Sequence, residues 1–382
     1  MQDKQEIITK LKEIQPSLAK ALKELIAIPS VFGDKSEDAP FGPGPKAALL
    51  KALNIADRLG FKTVNLDNKV GYAQYGDDLP TGFYYGIFGH VDVVEAGQGW
   101  DSDPWTLSER DNRLYGRGVL DNKGPILANL FALYVLKEAG IRFPYPVRIV
   151  FGTNEEIAFA CVKHYLTKEV PPIFGWTPDC KWPVVYGERG RLRVRLTSPG
   201  DQVAALYRFV NDYLLHSKGN GQELGIAFSD EDFGEMIVRG YSLGMTGSDH
   251  YIEWTMSYPA SCSQEDLILA IQDKIPQGLT LSVRDQWEPV LYDKDSIYVR
   301  TLQAVYNQVT GNTATPVTTT GGTFAKIVPN IIAYGPSFPG QKDIAHLPNE
   351  WLDKTDLETN TIIYGLALLA LSKLELWKNK PL

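Results

Sequence analysis

Five short stretches of the chain bring together nitrogen and oxygen donors of the kind that hold divalent cations. The first, Gly89-His90-Val91-Asp92, follows an aromatic and β-branched run, so His90 and Asp92 sit two apart in extended chain and share one side. A carboxylate so placed can hydrogen-bond the imidazole and fix its tautomer, as a metal-ligating histidine requires. A strand-end histidine can equally be packed or capping. The second stretch, Gly116-Arg117-Gly118-Val119-Leu120-Asp121-Asn122-Lys123-Gly124-Pro125, sets Asp121 at the start of a helix, among glycines that allow close backbone approach. An aspartate there also serves as a plain N-cap. The third, Gly152-Thr153-Asn154-Glu155-Glu156, again follows a strand. Its adjacent carboxylates repel unless one holds a cation and the other a proton in transit; the plainer reading is a solvated helix start. The fourth, Trp176-Thr177-Pro178-Asp179, ends on an acid in a turn, and the fifth, residues 340–350, carries His346 in a loop. Each has a structural explanation alone, but their joint occurrence at successive element ends points to a metal centre. Two histidines and three carboxylates, with one glutamate left over and no thiolate, suit zinc, manganese or cobalt. Five ligands exceed one tetrahedral ion and fit two ions that share a carboxylate and a water.

The elements that must carry these motifs alternate along the first third of the chain. Apolar residues recur at helical spacing over 18–28 and 47–59, the second helix closing at Gly60. Residues 82–88 read as a buried strand, 125–136 as a helix with proline near its first turn, and 146–151 as another strand. Such alternation predicts an α/β layer with a largely parallel sheet, whose strand ends collect functional polar residues. The middle differs. Arg191, Arg193 and Arg195 alternate with Leu192, Val194 and Leu196, the pattern of a strand with one solvated face. A helix over 203–215, a Gly/Ser-rich connection, a strand at 251–256, a helix at 263–275 and an extended run at 279–283 complete a small α+β set. The α/β texture then returns and ends in an apolar helix that starts after Asp356 and runs past Leu371. The chain reads as a discontinuous α/β domain, 1–187 and 290–382, with an inserted α+β domain over 188–289.

Composition limits the function classes. At 382 residues the chain exceeds what one core usually serves, so two domains are expected. Lys and Arg total 38 against 46 Asp and Glu, a net charge of −8, which offers no basic surface to a nucleic-acid backbone. Cys161, Cys180 and Cys262 form no CxxC pair, the usage of a reducing compartment without a structural zinc cluster. The Lys- and Glu-studded start lacks the apolar core of a signal peptide, and the apolar runs at 126–136 and 362–371 fall short of the ~20 residues of a membrane span. A cytoplasmic protein with no membrane partner is expected.

In their order, the five motifs resemble those of the co-catalytic dizinc peptidase family of aminoacylases, acetylornithine deacetylase, succinyl-diaminopimelate desuccinylase and bacterial dipeptidases. Gly99-Trp100-Asp101-Ser102-Asp103-Pro104-Trp105 and residues 335–350 look most like the PepV-type dipeptidases. The resemblance implies a zinc-exopeptidase-like fold: a mixed, largely parallel sheet flanked by helices, with the inserted domain as a lid. It implies two divalent ions, zinc first with manganese or cobalt as alternatives. His90 and Asp179 would hold one, Glu156 and His346 the other, and Asp121 would bridge both. Asp92 would orient His90, Glu155 would act as general base, and the Asp121–Asn122 bond would be cis. Gly321, Gly322, Thr323 and Lys326 resemble a glycine-rich substrate loop. The implied reaction is hydrolysis of small amides, dipeptides or N-acyl amino acids, by a water bridging the two ions, in a monomer or homodimer.

The chain also departs from that pattern. The family's lid histidine, which helps bind the oxyanion, has no counterpart: Leu196-Thr197-Ser198-Pro199-Gly200 leads straight into a helix, and His216 and His250 stand in other contexts. Met256-Ser257-Tyr258-Pro259 replaces an Arg-Tyr-Pro strand whose arginine clamps the substrate carboxylate, Lys326 stands where arginine is common, and Ile157-Ala158 follow the glutamate pair. Losing one oxyanion donor lowers a rate by about 10²–10³. Arg189, Arg191, Lys326 or a second subunit are the candidate replacements. The competing reading is a catalytically attenuated or silent metal-binding paralogue; retention of Glu155 argues for activity, since a structural metal site needs no free base.

Overall fold

Residues 4–374 are described by the computed structural model, and their backbone forms two units, one of residues 4–185, 293–316 and 323–374 and the other of residues 186–292 and 317–322. In the first unit six strands lie in the order Lys62–Leu66, Val70–Tyr75, Val147–Gly152, Tyr85–His90, Phe174–Thr177, Ile331–Ala333. The last four pair in parallel, whereas Val70–Tyr75 is antiparallel to both of its neighbours, Lys62–Leu66 and Val147–Gly152. The sheet is therefore mixed, as expected, with its parallel part at the centre. The reason is a tight turn: Asp67 and Asn68 take positive φ (57° and 54°) and reverse the chain between the first two strands. A connection that short can only make an antiparallel pair.

The two central strands Tyr85–His90 and Val147–Gly152 are buried along their whole length, which is why they read as apolar runs without alternation. Lys123–Glu138 packs on Tyr85–His90 and against Lys354–Leu371, and both helices are buried on nearly every face. This placement explains their weak amphipathicity. Parallel pairing sets His90 opposite Gly152, so these strands release their C-terminal residues at one edge of the sheet. Thr177 ends the neighbouring parallel strand at that edge. Every motif that follows a strand is thus delivered to the same place.

The second unit is a four-stranded antiparallel sheet in the order Ile237–Thr246, Asp249–Tyr258, Gly190–Ser198, Thr280–Trp287. Leu192, Val194 and Leu196 point into a core with Leu206, Phe209, Trp254 and Leu267, while Arg191 and Arg193 stay exposed on the other face. The helix expected over 203–215 is α-helical at Val203–Phe209 and continues as a π-helical turn, Val210–Leu215. A capping box between Ser263 and Asp266 starts the helix Gln264–Lys274. The strand Ile237–Thr246 is an addition to the sequence reading; its Tyr241, Leu243 and Met245 are exposed, so it shows no in–out alternation. Residues 317–322, expected with the first domain, belong to the second unit, because the Arg189 N–H donates to the Thr319 carbonyl (3.0 Å) and the Thr318 hydroxyl to that of Asp232 (3.1 Å). No described helix is long and apolar enough to cross a membrane.

Candidate metal centre

His90 closes a wholly buried strand and is itself fully buried. Its Nδ1 lies 2.9 Å from the Asp92 carbonyl oxygen and 3.5 Å from Asp92 Oδ1, so the ring N–H goes to the carbonyl. Nε2 is left facing outward, 3.0 Å from Asp121 Oδ1 and 3.5 Å from Asp179 Oδ2. The Asp92 carboxylate instead accepts the Glu156 N–H at 3.2 Å, tying the first motif to the third.

Asp121 stands at the turn before Lys123–Glu138, and its peptide bond to Asn122 is cis. The two oxygens of its carboxylate diverge: Oδ1 faces His90 and Oδ2 lies 3.0 Å from His346 Nε2. Asn122 Nδ2 donates to the Pro178 carbonyl (2.6 Å) and to Asp179 Oδ1 (3.3 Å), and its Oδ1 accepts the His90 N–H (3.4 Å). One buried amide thus aligns the motifs that carry His90 and Asp179. Gly89 makes this approach possible, since a Cβ there would come within 2.5 Å of Asn122 Oδ1. On the other side of Asp121, the buried carboxylate of Glu350 accepts its N–H at 3.0 Å.

Glu155 and Glu156 begin a single helical turn, Glu155–Ala158, directly after the strand end. Glu156 reaches His346 Nε2 at 3.1 Å through Oε1 and 3.0 Å through Oε2. Donor atoms of His90, Asp121 and Glu156 fall within 4.8 Å of one another, as do those of His90, Glu155 and Asp179. Both sets could hold a cation. His346, half exposed and at positive φ (64°), completes the cluster from a loop.

Charge is crowded here. Burial raises the Asp121 carboxyl, but hydrogen bonds from His346 and His90 outweigh it and hold Asp121 well below the usual carboxylate range. Burial, reinforced by the Asp121 charge, pushes Asp179 up to about 7. Burial and the Asp179 charge raise Glu155 well above its ordinary value. Burial also raises Glu156, against the pull of His346. Hydrogen bonds to Asp121 and Glu156 lift His346 to about 10; His90 is raised too, the Asp179 and Asp121 carboxylates overcoming its burial. More carboxylates than imidazoles share one buried space, an arrangement whose repulsion divalent cations relieve.

The residues expected to form a substrate loop are divided between the two units. Gly321 and Gly322 are exposed and belong to the second unit. Thr323 is buried, its hydroxyl accepting the Ala325 N–H at 3.2 Å, and Lys326 is half-buried on the same turn. It is Phe324, missed in the sequence, that reaches the centre: its ring stands edge-on to His90 at 6.3 Å and to Phe159 at 5.7 Å. A Cβ on Gly152 would strike that ring at 2.5 Å, so a glycine at the strand end was its only sequence trace. Of the candidate replacement donors, Arg189 is committed to the carbonyls of Glu235 (2.7 Å), Ser257 (3.2 Å) and Phe233 within the second unit, and Arg191 pairs with Asp285 (3.3 Å).

Known proteins share this architecture. The human carnosine dipeptidase 1 structure superposes with a TM-score of 0.73 at 16% identity, covering 97% of this chain and 99% of that one. The Bacillus subtilis YXEP protein, described as a dinuclear metal binding peptidase from M20 family, gives 0.62 at 13% identity over 95% and 100%. At these identities the likeness shows the fold. YtjP of Bacillus subtilis (strain 168), whose name assigns it provisionally as a dipeptidase, is 27% identical over 455 positions, spanning 93% of this chain and 97% of YtjP. Those 455 positions exceed the 382 residues here, so YtjP carries segments that this chain lacks. Residues 86–370 match Peptidase family M20/M25/M40. With three-quarters of its length inside that match and its motif residues gathered at one sheet edge, the chain is a peptidase that belongs to Peptidase family M20/M25/M40.

Proposed function

We propose that the chain hydrolyses the amide bond of dipeptides or N-acyl amino acids with the help of two divalent cations, zinc foremost. The observation that carries this reading is the Asp121 carboxylate, which turns one oxygen to each of two histidines, 3.0 Å away on either side. A plain helix cap has no reason to face two imidazoles. His90 and Asp179 would hold one cation, His346 and Glu156 the other, and Asp121 both; the donors are nitrogen and carboxylate oxygen, which suits zinc, manganese or cobalt. When bound, the cations lower the pKa of the attacking water and polarise the scissile carbonyl.

Glu155 is the carboxylate left over. With His90, Asp179 and Asp121 on one side and His346, Glu156 and Asp121 on the other, Glu155 is free to take the proton from water and pass it to the leaving amine. Asp92 holds the His90 ring through its carbonyl and the Glu156 backbone through its carboxylate, so it keeps both in place without touching substrate. The names of the similar proteins, a provisional dipeptidase and a carnosine dipeptidase, favour small peptides as substrates. Three free cysteines, two of them buried, fit a reducing, cytoplasmic setting.

The test is a metal titration of chelated protein followed by a screen of dipeptides and N-acetyl amino acids. Two ions per chain, with hydrolysis appearing as both sites fill, is the expected result. Two bound ions and no hydrolysis across the screen would overturn it in favour of a silent paralogue.

A further inference from the structure

We infer that Glu350 is a positioning residue that sets the spacing of the two cation sites, because its one carboxylate locks the loop bearing Asp121 to the loop bearing His346. The inference rests on the proposed role of Asp121 as the shared donor. Glu350 follows His346 by four residues and its side chain has no exposed surface. Oε1 accepts the N–H groups of Leu120 (2.8 Å) and Asp121 (3.0 Å). Oε2 accepts the Gly118 N–H (3.0 Å) and Arg117 Nη1 (2.9 Å). Its own carbonyl takes the Gly116 N–H at 3.2 Å, and the next residues, Trp351–Asp353, pair antiparallel with Arg113–Tyr115.

The Asp121 loop is therefore wrapped around a carboxylate that belongs to the His346 loop. Four donors on two oxygens leave that carboxylate no freedom to turn, and charge-assisted bonds of this kind are the strong ones. Arg117 extends the clamp, its Nη2 donating to the carbonyls of Glu95 (3.3 Å) and Ala96 (3.2 Å), just beyond Asp92. Glu350 faces backbone and Arg117, not the cluster of donor atoms, so it acts through Asp121. The competing role for the same contacts is simple neutralisation of the buried Arg117 guanidinium.

Two variants and one double variant separate these roles. Glu350→Gln keeps the volume but presents an NH₂ group to one pair of donors, whichever way the amide turns. Glu350→Asp keeps the charge but is one methylene too short to hold all four, and it serves where the glutamine variant does not fold. Zinc affinity, measured by competition with a chelating dye, is expected to fall about 10–100-fold in both, the range seen when groups behind metal ligands are lost. The visible spectrum of the cobalt-loaded protein should shift with it, a change that loss of stability alone does not produce. In Glu350→Gln/Arg117→Met the unpaired guanidinium is gone, so thermal stability should recover while zinc affinity stays low. Recovery of affinity together with stability would overturn the inference in favour of simple neutralisation. Wild-type affinity and spectrum in both single variants would overturn it too and leave the proposed function standing. Failure of the wild type to bind a second ion would instead sink the proposed function, and this inference with it.

Discussion

Replacing Gly89 with alanine is a severe test of how the centre is held together, although it removes no donor. The new Cβ would lie 2.5 Å from Asn122 Oδ1, 2.8 Å from Ile126 Cδ1 and 2.9 Å from Ile126 Cβ. Ile126 is fully buried in Lys123–Glu138, a helix packed on nearly every side, so it cannot retreat. Asn122 must yield, and with it go its bonds to the Pro178 carbonyl, Asp179 and the His90 N–H. Overpacking of a tight core costs about 1–3 kcal/mol, and each lost hydrogen bond adds about 1 kcal/mol. A loss of about 4–6 kcal/mol is expected in the urea unfolding of chelated Gly89→Ala, at the upper end for one substitution. Zinc affinity should fall about 10–100-fold as His90 and Asp179 lose their common brace. Gly321→Ala is the control: its Cβ meets nothing nearer than Thr319 Oγ1 at 3.7 Å, and stability should stay within about 0.5 kcal/mol. A Gly89→Ala protein with wild-type unfolding midpoint and wild-type zinc affinity would refute the claim that Asn122 aligns the site.

Glu155→Gln should keep its metal content while turnover falls by about 10²–10⁴, as expected for loss of a general base; an unchanged peptidase rate would remove Glu155 from the mechanism. His346→Ala should lose one of two ions together with activity, read by metal analysis after dialysis. Lys123 is fully buried, donates to the carbonyls of Leu25 (3.1 Å) and Ile28 (2.9 Å), and is pushed down to about 7 by burial against an ordinary 10.5. Between those two values the unfolded chain holds a proton that the folded one has released, so stability should rise with pH across that window and Lys123→Met should flatten the rise, measured by urea midpoints of the chelated protein from about pH 6.5 to 10.

What the sequence revealed and what it hid follow one physical division. Strands and helices buried on all sides announced themselves as apolar runs, and the polar residues just beyond them could be named because nothing else explains a histidine or an acid at each successive strand end. The hairpin of Lys62–Leu66 and Val70–Tyr75 escaped because its signal is a three-residue turn, 67–69, between short strands. The edge strand Ile237–Thr246 escaped because its exposed Tyr241, Leu243 and Met245 break the expected alternation. Asn122, Phe324 and Glu350 hold the centre from behind, yet one reads as a helix start, one as core and one as an ordinary loop acid. Their partners are distant in the chain, Glu350 lying 229 residues from Asp121, and only the folded backbone joins them. The glycine-rich stretch crosses the division of the chain, Gly321 and Gly322 falling in the second unit and Thr323 and Lys326 in the first, a boundary that no composition change marks.

The most direct test of the central claim is anomalous diffraction at the zinc edge from crystals of the zinc-loaded protein. Two anomalous peaks about 3.5–4 Å apart, with Asp121 between them and one histidine on each, are the predicted result. A single peak, or two peaks of which Asp121 touches only one, would contradict it.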